Sequence, residues 1–393
     1  MTHLAKNANF ADAHIGVFDL GNVRRIDWLL TLLTLLLVGA GLLTLYAATR
    51  SADSATPYYQ KQIVFFLAGS CAAILIVCID HRFLVTLAPI MYVAAILMLL
   101  GVLLHGTQAK GGQRWLVLGP FRVQPSEQCK IIMVYSLAWY FTTVQQRIRQ
   151  LPYFLLTFVI TAIPAILILK QPNLSTAASM APITIGMLYV AGCKKWHLIA
   201  LVLIGLAAIP FAYFHLKDYQ RTRVDTFLGI SAETDDKDAQ SKQDDIAMSS
   251  GWQTLQASIS IGSGGLTGKG FGKVTPTELS FLPEYHNDLI FSVLAEEHGF
   301  IGSIILIGGF AAFLMRGLFH AADNPDMSGA LVATGAVAIL AFHVFVNIAM
   351  TIGLMPVTGI PLPFLSYGGS FYLTTMLCVG ILLNASIRKG FFG

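Results

Sequence analysis

Charged residues are scarce in this 393-residue sequence. Asp, Glu, Lys and Arg together make up 12% of it, whereas hydrophobic residues make up 55%. Soluble globular domains carry about 25% charged residues, so this balance excludes a soluble domain and is typical of a polytopic helical membrane protein. The net charge of +4 is small for the length, which argues against a nucleic-acid-binding protein.

Motifs for metals, disulfides and nucleotides are also missing. The five cysteines form no CxxC pair and lie in or beside apolar runs, so we interpret them as buried free thiols. The histidines lack the HExxH spacing of zinc enzymes, and Lys269 is followed by glycine rather than by the Ser or Thr of a GxxxxGK[ST] nucleotide loop. The sequence therefore requires no cofactor. The cysteines are Cys71, Cys78, Cys129, Cys193 and Cys378.

What the sequence does have is long apolar runs, about ten of which can cross a membrane as helices. The first follows a polar stretch of about 27 residues and is about 20 residues long, which is typical of a membrane anchor rather than of a cleaved signal peptide. We predict an all-α polytopic protein with a cytoplasmic N-terminal segment (1–27), a ten-helix membrane domain (28–388) and a cytoplasmic C-terminus (389–393). The predicted spans are 28–48, 61–79, 83–104, 125–145, 152–169, 175–192, 196–215, 286–316, 328–351 and 365–387.

The distribution of basic residues predicts how the chain faces. Ten spans place both termini on one side of the membrane. Loops on that side carry eleven Lys and Arg residues and short loops on the other side carry six, so the positive-inside rule places the termini in the cytoplasm. The long loop 216–285 is then extracytoplasmic. The eleven are Lys6, Arg24, Arg25, Arg82, Arg147, Arg149, Lys194, Lys195, Arg316, Arg388 and Lys389, and the six are Arg50, Lys61, Lys110, Arg114, Arg122 and Lys170.

The stretch 281–300 places acidic residues where an apolar helix is predicted to begin. Asp288 opens the eighth span, and Glu296 and Glu297 follow about two turns later. From Asp288 to Arg316 a helix rises about 42 Å, against about 30 Å of membrane hydrocarbon. Asp288 is therefore predicted to lie near or above the outer headgroups, where it can meet a water-soluble group attached to a lipid. An equal alternative is that Asp288 only caps its helix.

Three further stretches are candidates for a polar site. Glu127 and Lys130 stand three residues apart on one face of the fourth span, where they can pair either as structural glue or as part of a polar site. Six glycines between 262 and 272, with Lys269 among them, suit a backbone that closely approaches an anion, although a plain flexible loop fits as well. Prolines and glycines at 356–369 predict an irregular re-entrant segment that lines a cavity.

Several long motifs follow one another in order along the chain. They are GGQRWL (111–116), QPSEQCK (124–130), QPNLSTA (171–177), DYQRTRV (218–224), IGSGGLTGKG (261–270), FLPEYHNDLIFSVLAEE (281–297) and PLPFLSYGGS (361–370). Together they resemble the SEDS family (shape, elongation, division and sporulation) of polytopic peptidoglycan polymerases, typified by RodA, FtsW and SpoVE. The resemblance covers the chain from about Trp28 to Arg388. The short N-terminus, DYQRTRV and GIPLP are more similar to the RodA elongation branch than to the division branch.

The resemblance implies glycosyl transfer on lipid II, a disaccharide-peptide on undecaprenyl diphosphate, at the outer face of the cytoplasmic membrane. A growing glycan moves from its lipid diphosphate onto the GlcNAc 4-hydroxyl of another lipid II, with inversion at the anomeric carbon. Asp288 is then the expected base for the hydroxyl proton. Cations and backbone NH groups are expected to stabilise the diphosphate; the candidates are Lys269, Arg221, Arg223, Arg114, Gly264 and Gly265.

The remaining site residues are expected to support this chemistry. Glu127 and Lys130 are assigned to organising the polar cavity. Glu296 either does the same or forms a buried hydrogen bond between helices, with at least equal support for the second role. Asn173 stands where the family usually has Asp, so it keeps hydrogen bonding and loses the carboxylate. His286 either binds substrate or caps the helix, with equal support for each.

The resemblance also implies partners and leaves alternatives open. The implied partner is a class B penicillin-binding protein that supplies the transpeptidase, besides lipid II and the membrane lipids. A divalent cation, Mg²⁺ or Mn²⁺, at the diphosphate stays open.

A lipid II flippase also fits ten spans and a proline-broken segment, although we find no inverted repeat between the halves and Asp288 lies at a helix end. A noncatalytic scaffold of the wall-synthesis complex is the third function.

Overall fold

The computed structural model describes residues 26–49, 58–109, 112–118, 121–214, 221, 224–225, 227–228, 252–273 and 287–388. Within these residues lie ten helices of at least 17 residues, one for each predicted span, which confirms the all-α polytopic fold. They are α1 (Trp28–Thr49), α2 (Tyr58–Cys78), α3 (His81–His105), α4 (Pro125–Val144), α5 (Leu151–Lys170), α6 (Leu174–Val190), α7 (Lys195–Phe214), α8 (Ile290–Ala322), α9 (Met327–Thr351) and α10 (Gly369–Ile387).

Seven of these helices are both long and apolar enough to cross a membrane: α1, α2, α3, α5, α8, α9 and α10. Helix α6 is shorter, at 17 residues, and α4 carries Glu127 and Lys130 in its first two turns. The chain is therefore a multi-pass membrane protein. Three predicted helix ends were wrong by four or more residues, because α8 runs from Ile290 to Ala322 and α10 begins at Gly369. Turns and irregular backbone occupy 287–289 and 365–368, which were predicted to be helical.

A small antiparallel sheet between α3 and α4 was not predicted. Its strands are β1 (Thr107–Ala109), β2 (Gly112–Leu118) and β3 (Phe121–Val123), in the order β1-β2-β3. The last strand leads directly into Pro125, which occupies the first turn of α4, where its missing N–H costs no hydrogen bond.

The second and the last helices of the bundle lie against each other. Ala73 on α2 and Gly380 on α10 meet so closely that a Cβ at Gly380 would come within 2.8 Å of the Ala73 carbonyl oxygen. Gly69 also faces α10, and small residues of this kind let membrane helices approach each other. At the top of the pair, Gln62 Nε2 donates to the Ser366 carbonyl at 3.1 Å. Early and late parts of the chain thus form one interface.

The segment 352–368 is irregular, as predicted, and it enters the bundle. Leu362 and Phe364 are fully buried, and Phe364 has a φ of 65°. Helix α1 covers this segment, because a Cβ at Gly41 would lie closer than 3.0 Å to the Phe364 carbonyl oxygen. Irregular backbone is tolerated at membrane depth where protein covers it in this way.

Ion pairs link neighbouring helices at the end of the bundle where α1 starts. Asp27 pairs with Arg316 of α8 at 2.5 Å, and Asp326 receives a hydrogen bond from His81 at 2.8 Å. Burial raises the pKa of Asp326, but hydrogen bonds from His81 and Ser328 together outweigh burial and hold that pKa below its usual range. These carboxylates therefore stay charged and link α1, α3, α8 and α9.

The cysteines are all free, but two of them are not buried as predicted. Cys71 is exposed and Cys78 is half-buried, whereas Cys129, Cys193 and Cys378 are buried. Both exceptions lie on α2, which buries few of its residues within the protein. An apolar helix with an exposed face of this kind presents that face to lipid.

Candidate active site

Asp288 lies in the turn just before α8, two residues ahead of the helix. The N-cap residue of α8 is Leu289, and no side chain caps the helix there, so the prediction that Asp288 opens the helix was wrong by two residues. Its carboxylate is partly exposed and lies against the irregular segment. A Cβ at Gly359 would lie 3.4 Å from Asp288 Oδ2, and Gly359 has a φ of 73°. Two stretches that the sequence singled out separately therefore meet here.

Asn347 of α9 holds the two stretches together. Its Nδ2 donates to the main-chain carbonyl of Asp288 at 2.8 Å and to that of Ile360 at 2.6 Å. Asn347 is fully buried. Ser366 adds a second link, because its Oγ donates to the Asn287 carbonyl. Sequence reasoning missed both residues, although an Asn inside an apolar helix was a signal that could have identified one of them.

A buried charged pair lies at the start of α4. Lys130 Nζ is 2.8 Å from Glu127 Oε2, and the two side chains are 0% and 6% exposed. The sequence predicted this pairing from the spacing of the two residues. Lys130 Nζ also lies 5.5 Å from the centre of the Phe371 ring, in cation–π geometry. The two buried charges thus lie beside a group of opposite sign, which offsets part of the cost of removing each from water.

His343 of α9 extends this pair toward the irregular segment. Lys130 Nζ is 2.8 Å from His343 Nε2, and His343 Nδ1 is 3.2 Å from the Pro361 carbonyl. An ammonium group can only donate, so Nε2 accepts and the ring proton lies on Nδ1, from which it is donated to Pro361. The sequence analysis missed His343. It connects α4 to the same segment that contacts Asp288.

Asn173 has a local role at the start of α6. It is the N-cap of α6, where its side-chain oxygen accepts from the Thr176 N–H. An amide oxygen performs this function as well as a carboxylate does. Thr176 Oγ1 in turn lies 3.5 Å from Glu127 Oε1, and Ser175 Oγ donates to the Thr358 carbonyl at 2.5 Å. The start of α6 thus closes the polar region between α4 and the irregular segment.

The glycine-rich stretch contacts a helix rather than open space. Helix α8 is interrupted at Gly299, which has φ 65° and ψ −161°, so groups around it lose their helical partners. Residues of the glycine-rich stretch replace them. The N–H groups of Lys269 and Gly270 donate to the carbonyls of Glu296 and Glu297 at 3.0 Å each.

The opposite side of the interruption is completed in the same manner. The N–H groups of Phe300 and Ile301 donate to the carbonyls of Gly265 and Leu266, at 2.9 and 3.1 Å. A Cβ at Gly264 would come closer than 3.0 Å to the Ala295 carbonyl oxygen. The close approach that the glycines were predicted to allow is therefore made to α8, and their contact with an anion stays a prediction.

The predicted diphosphate cations have protein contacts of their own. Lys269 Nζ is 2.6 Å from Glu296 Oε1, and Glu296 is fully buried, so these two predicted site residues pair with each other. Arg114 donates through Nε to the Gln171 carbonyl at 3.2 Å. Arg221 is exposed and lies over the Tyr213 ring at 4.9 Å. Arg223 and His286 lie outside the described residues.

The described residues also bear on metal binding. Within the ranges that the structure describes, no three His, Cys, Asp or Glu side chains come close enough together to hold a metal ion. The divalent cation at the diphosphate thus stays a prediction.

The sequence profile FTSW_RODA_SPOVE, described as cell cycle protein, matches residues 25–390. The chain belongs to the FtsW/RodA/SpoVE family. The match covers all ten helices described above.

Relatives named FtsW and MrdB are similar to this chain. The probable peptidoglycan glycosyltransferase FtsW of Trichlorobacter lovleyi is 35% identical over 371 residues, which are 92% of this chain and 93% of that protein. The peptidoglycan glycosyltransferase MrdB of Escherichia coli K12 is 37% identical over 306 residues, 77% of this chain and 78% of that protein. A solved peptidoglycan synthase complex, described as coordinating polymerization and crosslinking, contains a chain that matches with a TM-score of 0.77 and 29% identity, covering 93% of this chain and 98% of that chain.

Gly268 provides a test of the contact between the glycine-rich stretch and α8 in this family member. Gly268 has a φ of 81°, and a Cβ there would lie closer than 3.0 Å to the Glu297 carbonyl. We expect Gly268→Ala to lower the free energy of unfolding by about 2–4 kcal/mol, because strain and a backbone clash add together. Thermal unfolding of the purified protein in detergent measures it. Gly262→Ala is the matched control, since nothing lies within 4 Å of its Cβ position; equal stability of the two variants would contradict the contact.

Proposed function

We propose that this chain is a peptidoglycan glycosyltransferase that polymerises lipid II, with Asp288 as the general base. The observation that carries the proposal is the difference in exposure among the acids of this region. Glu127, Glu296 and Glu297 are buried, and two of them pair with lysines. Asp288 stays partly exposed, in a turn that Asn347 fixes through the main chain. A base must be both accessible to substrate and fixed in position.

We infer an inverting glycosyl transfer at this site. The 4-hydroxyl of the acceptor GlcNAc gives its proton to Asp288 while its oxygen attacks the anomeric carbon of the donor glycan. The bond from that carbon to the lipid diphosphate breaks with inversion, and the diphosphate leaves with the electron pair. Cations stabilise the developing negative charge. Arg221, which also pairs with Asp225 at 4.0 Å, is the exposed candidate among the described residues. Lys269 pairs with Glu296.

The surrounding side chains have positioning roles in this proposal. Glu127, Lys130 and His343 form a buried chain of contacts that ends on the Pro361 carbonyl. Asn347 connects the adjacent Ile360 carbonyl to Asp288. The base and the irregular segment therefore share one rigid support, which fixes a catalytic group within a fraction of an ångström.

The membrane location and the partner belong to the same proposal. We place the protein in the cytoplasmic membrane with Asp288 outward, because the loops on the side of the termini carry the larger number of basic residues. A class B penicillin-binding protein is the proposed partner, and the solved complex that couples polymerization to crosslinking supports it. DYQRTRV and GIPLP favour a role in cell elongation and rod-shape maintenance.

A polymerisation assay tests the function. Purified protein is mixed with its penicillin-binding partner and lipid II, with a β-lactam blocking the transpeptidase, and glycan length is read on a gel. We expect long strands from the pair and none from the partner alone. Absence of strands, together with transfer of lipid II across liposomes by the purified chain, would contradict the polymerase and favour a flippase.

A further inference from the structure

A basic cleft lies at the opposite end of the bundle from Asp288. It has a volume of about 600 Å³ and opens between the turn that follows α4 and the loop that joins α6 to α7. Three of its lining residues are the cations Arg149, Lys194 and Lys195. Counting helices along the chain places it at the end that also holds the start of α1 and the end of α10.

A hydrogen bond joins the two loops that form the cleft. Arg149 Nε donates to the Gly192 carbonyl at 3.2 Å, and Gly192 adopts a φ of 77°. This bond ties the two loops together and fixes the guanidinium at the wall of the cleft. A guanidinium presents its N–H groups as a planar fork that suits phosphate oxygens.

Among the described residues, no acidic residue neutralises these charges. The loops 145–150 and 191–197 contain neither Asp nor Glu. Within the part of the chain that the structure describes, Arg149, Lys194 and Lys195 form no ion pair. By contrast, Arg82, Arg316 and Arg388 at the same end of the bundle are all paired with aspartates. Three clustered cations without an acidic partner among the described residues attract an anion.

The rim of the cleft is aromatic and exposed. Tyr189 lines the cleft and is 67% exposed, and Trp196, next to Lys195, is 77% exposed. Tyr and Trp side chains of membrane proteins concentrate at the level of the lipid headgroups. Their position places the cations at the depth of lipid phosphates, with apolar surface beside them for the start of an acyl chain.

We propose that this cleft binds the headgroup phosphate of an anionic phospholipid from the leaflet on the side of the termini. Arg149 contacts the phosphate oxygens through its fork, and Lys194 and Lys195 add charge from the opposite loop. The volume suits one headgroup. A free phosphate would use the same cations but gain nothing from the aromatic rim, so the lipid is the occupant to which the structure points.

Native mass spectrometry of the full-length protein in detergent tests the site, with phosphatidylglycerol as the probe and phosphatidylethanolamine as the zwitterionic comparison. We expect Arg149→Gln to weaken phosphatidylglycerol binding about fivefold and Arg149→Gln/Lys194→Gln/Lys195→Gln on the order of 100-fold. The matched control is Arg147→Gln, which removes the same charge two residues away, at an exposed position that does not line the cleft. It is expected to change binding less than twofold.

Two results would overturn the proposal. Equal losses for Arg147→Gln and Arg149→Gln would mean that the lipid responds only to overall surface charge. Binding of inorganic phosphate that displaces phosphatidylglycerol at equal concentration would mean that the site takes a free anion. Because Arg149 also joins the two loops, Lys194→Gln/Lys195→Gln provides a variant that leaves that bond intact, and it is expected to weaken lipid binding about 25-fold.

Discussion

Replacing Asp288 with Asn is expected to lower the rate of glycan polymerisation by about 10²- to 10⁴-fold, the usual contribution of a general base. The amide has the shape of the carboxylate but cannot accept the acceptor hydroxyl's proton. The turn should survive the change, because Asn347 binds the main-chain carbonyl of residue 288 rather than its side chain. The N-cap of α8 is Leu289, so the helix loses no cap.

The assay described above measures this effect, with lipid II binding measured alongside it. The matched control is Asp323→Asn, the same substitution at the exposed C-terminal end of the same helix, which should polymerise at the wild-type rate. Undiminished lipid II binding by Asp288→Asn would assign its loss to the chemical step. If Asp288→Asn polymerises as fast as Asp323→Asn, residue 288 is not the base.

Replacing Lys130 with Met is expected to destabilise the protein by about 3–5 kcal/mol, because it leaves the buried carboxylate of Glu127 without its cation. His343 Nε2 would also lose the hydrogen bond that it accepts from Lys130. The double variant Glu127→Gln/Lys130→Met removes both charges, so it should recover most of the lost stability.

Thermal unfolding in detergent of the single and double variants forms a double-mutant cycle. Lys170→Met makes the same change at an exposed position at the end of α5 and should leave stability within about 0.5 kcal/mol of wild type. If Lys130→Met unfolds at the same temperature as Lys170→Met, the Glu127–Lys130 pair is dispensable for stability. A double variant as unstable as the single one would show that the cost lies in His343.

Local features of the chain were predictable because they depend on neighbours in sequence. Ten apolar runs became ten helices, since a chain crossing lipid must satisfy its backbone hydrogen bonds within each segment. The Glu127–Lys130 pair followed from its i,i+3 spacing. The irregular segment around Pro361 followed from proline and glycine content, because those residues cannot continue a helix there.

Long-range partners were not predictable by the same reasoning. Glu296, the partner of Lys269, is 27 residues away, and the histidine that Lys130 contacts is 213 residues away. Nothing in the glycine-rich stretch itself says that its backbone completes an interrupted helix. Those contacts depend on how the helices pack, and periodicity within one segment carries no information about its neighbours in space.

The pairing of α2 with α10 has a consequence for how the protein is made. Gln62 meets the Ser366 carbonyl 304 positions later, so at 5–20 residues per second a ribosome needs roughly 15–60 s to supply that partner. Throughout that time the face of α2 that packs against α10 is not covered by its partner helix. Insertion chaperones and membrane proteases can bind this face. The segment beside Asp288 also assembles only when the last helix has left the translocon. A nascent chain therefore has no catalytic activity until its synthesis is nearly complete.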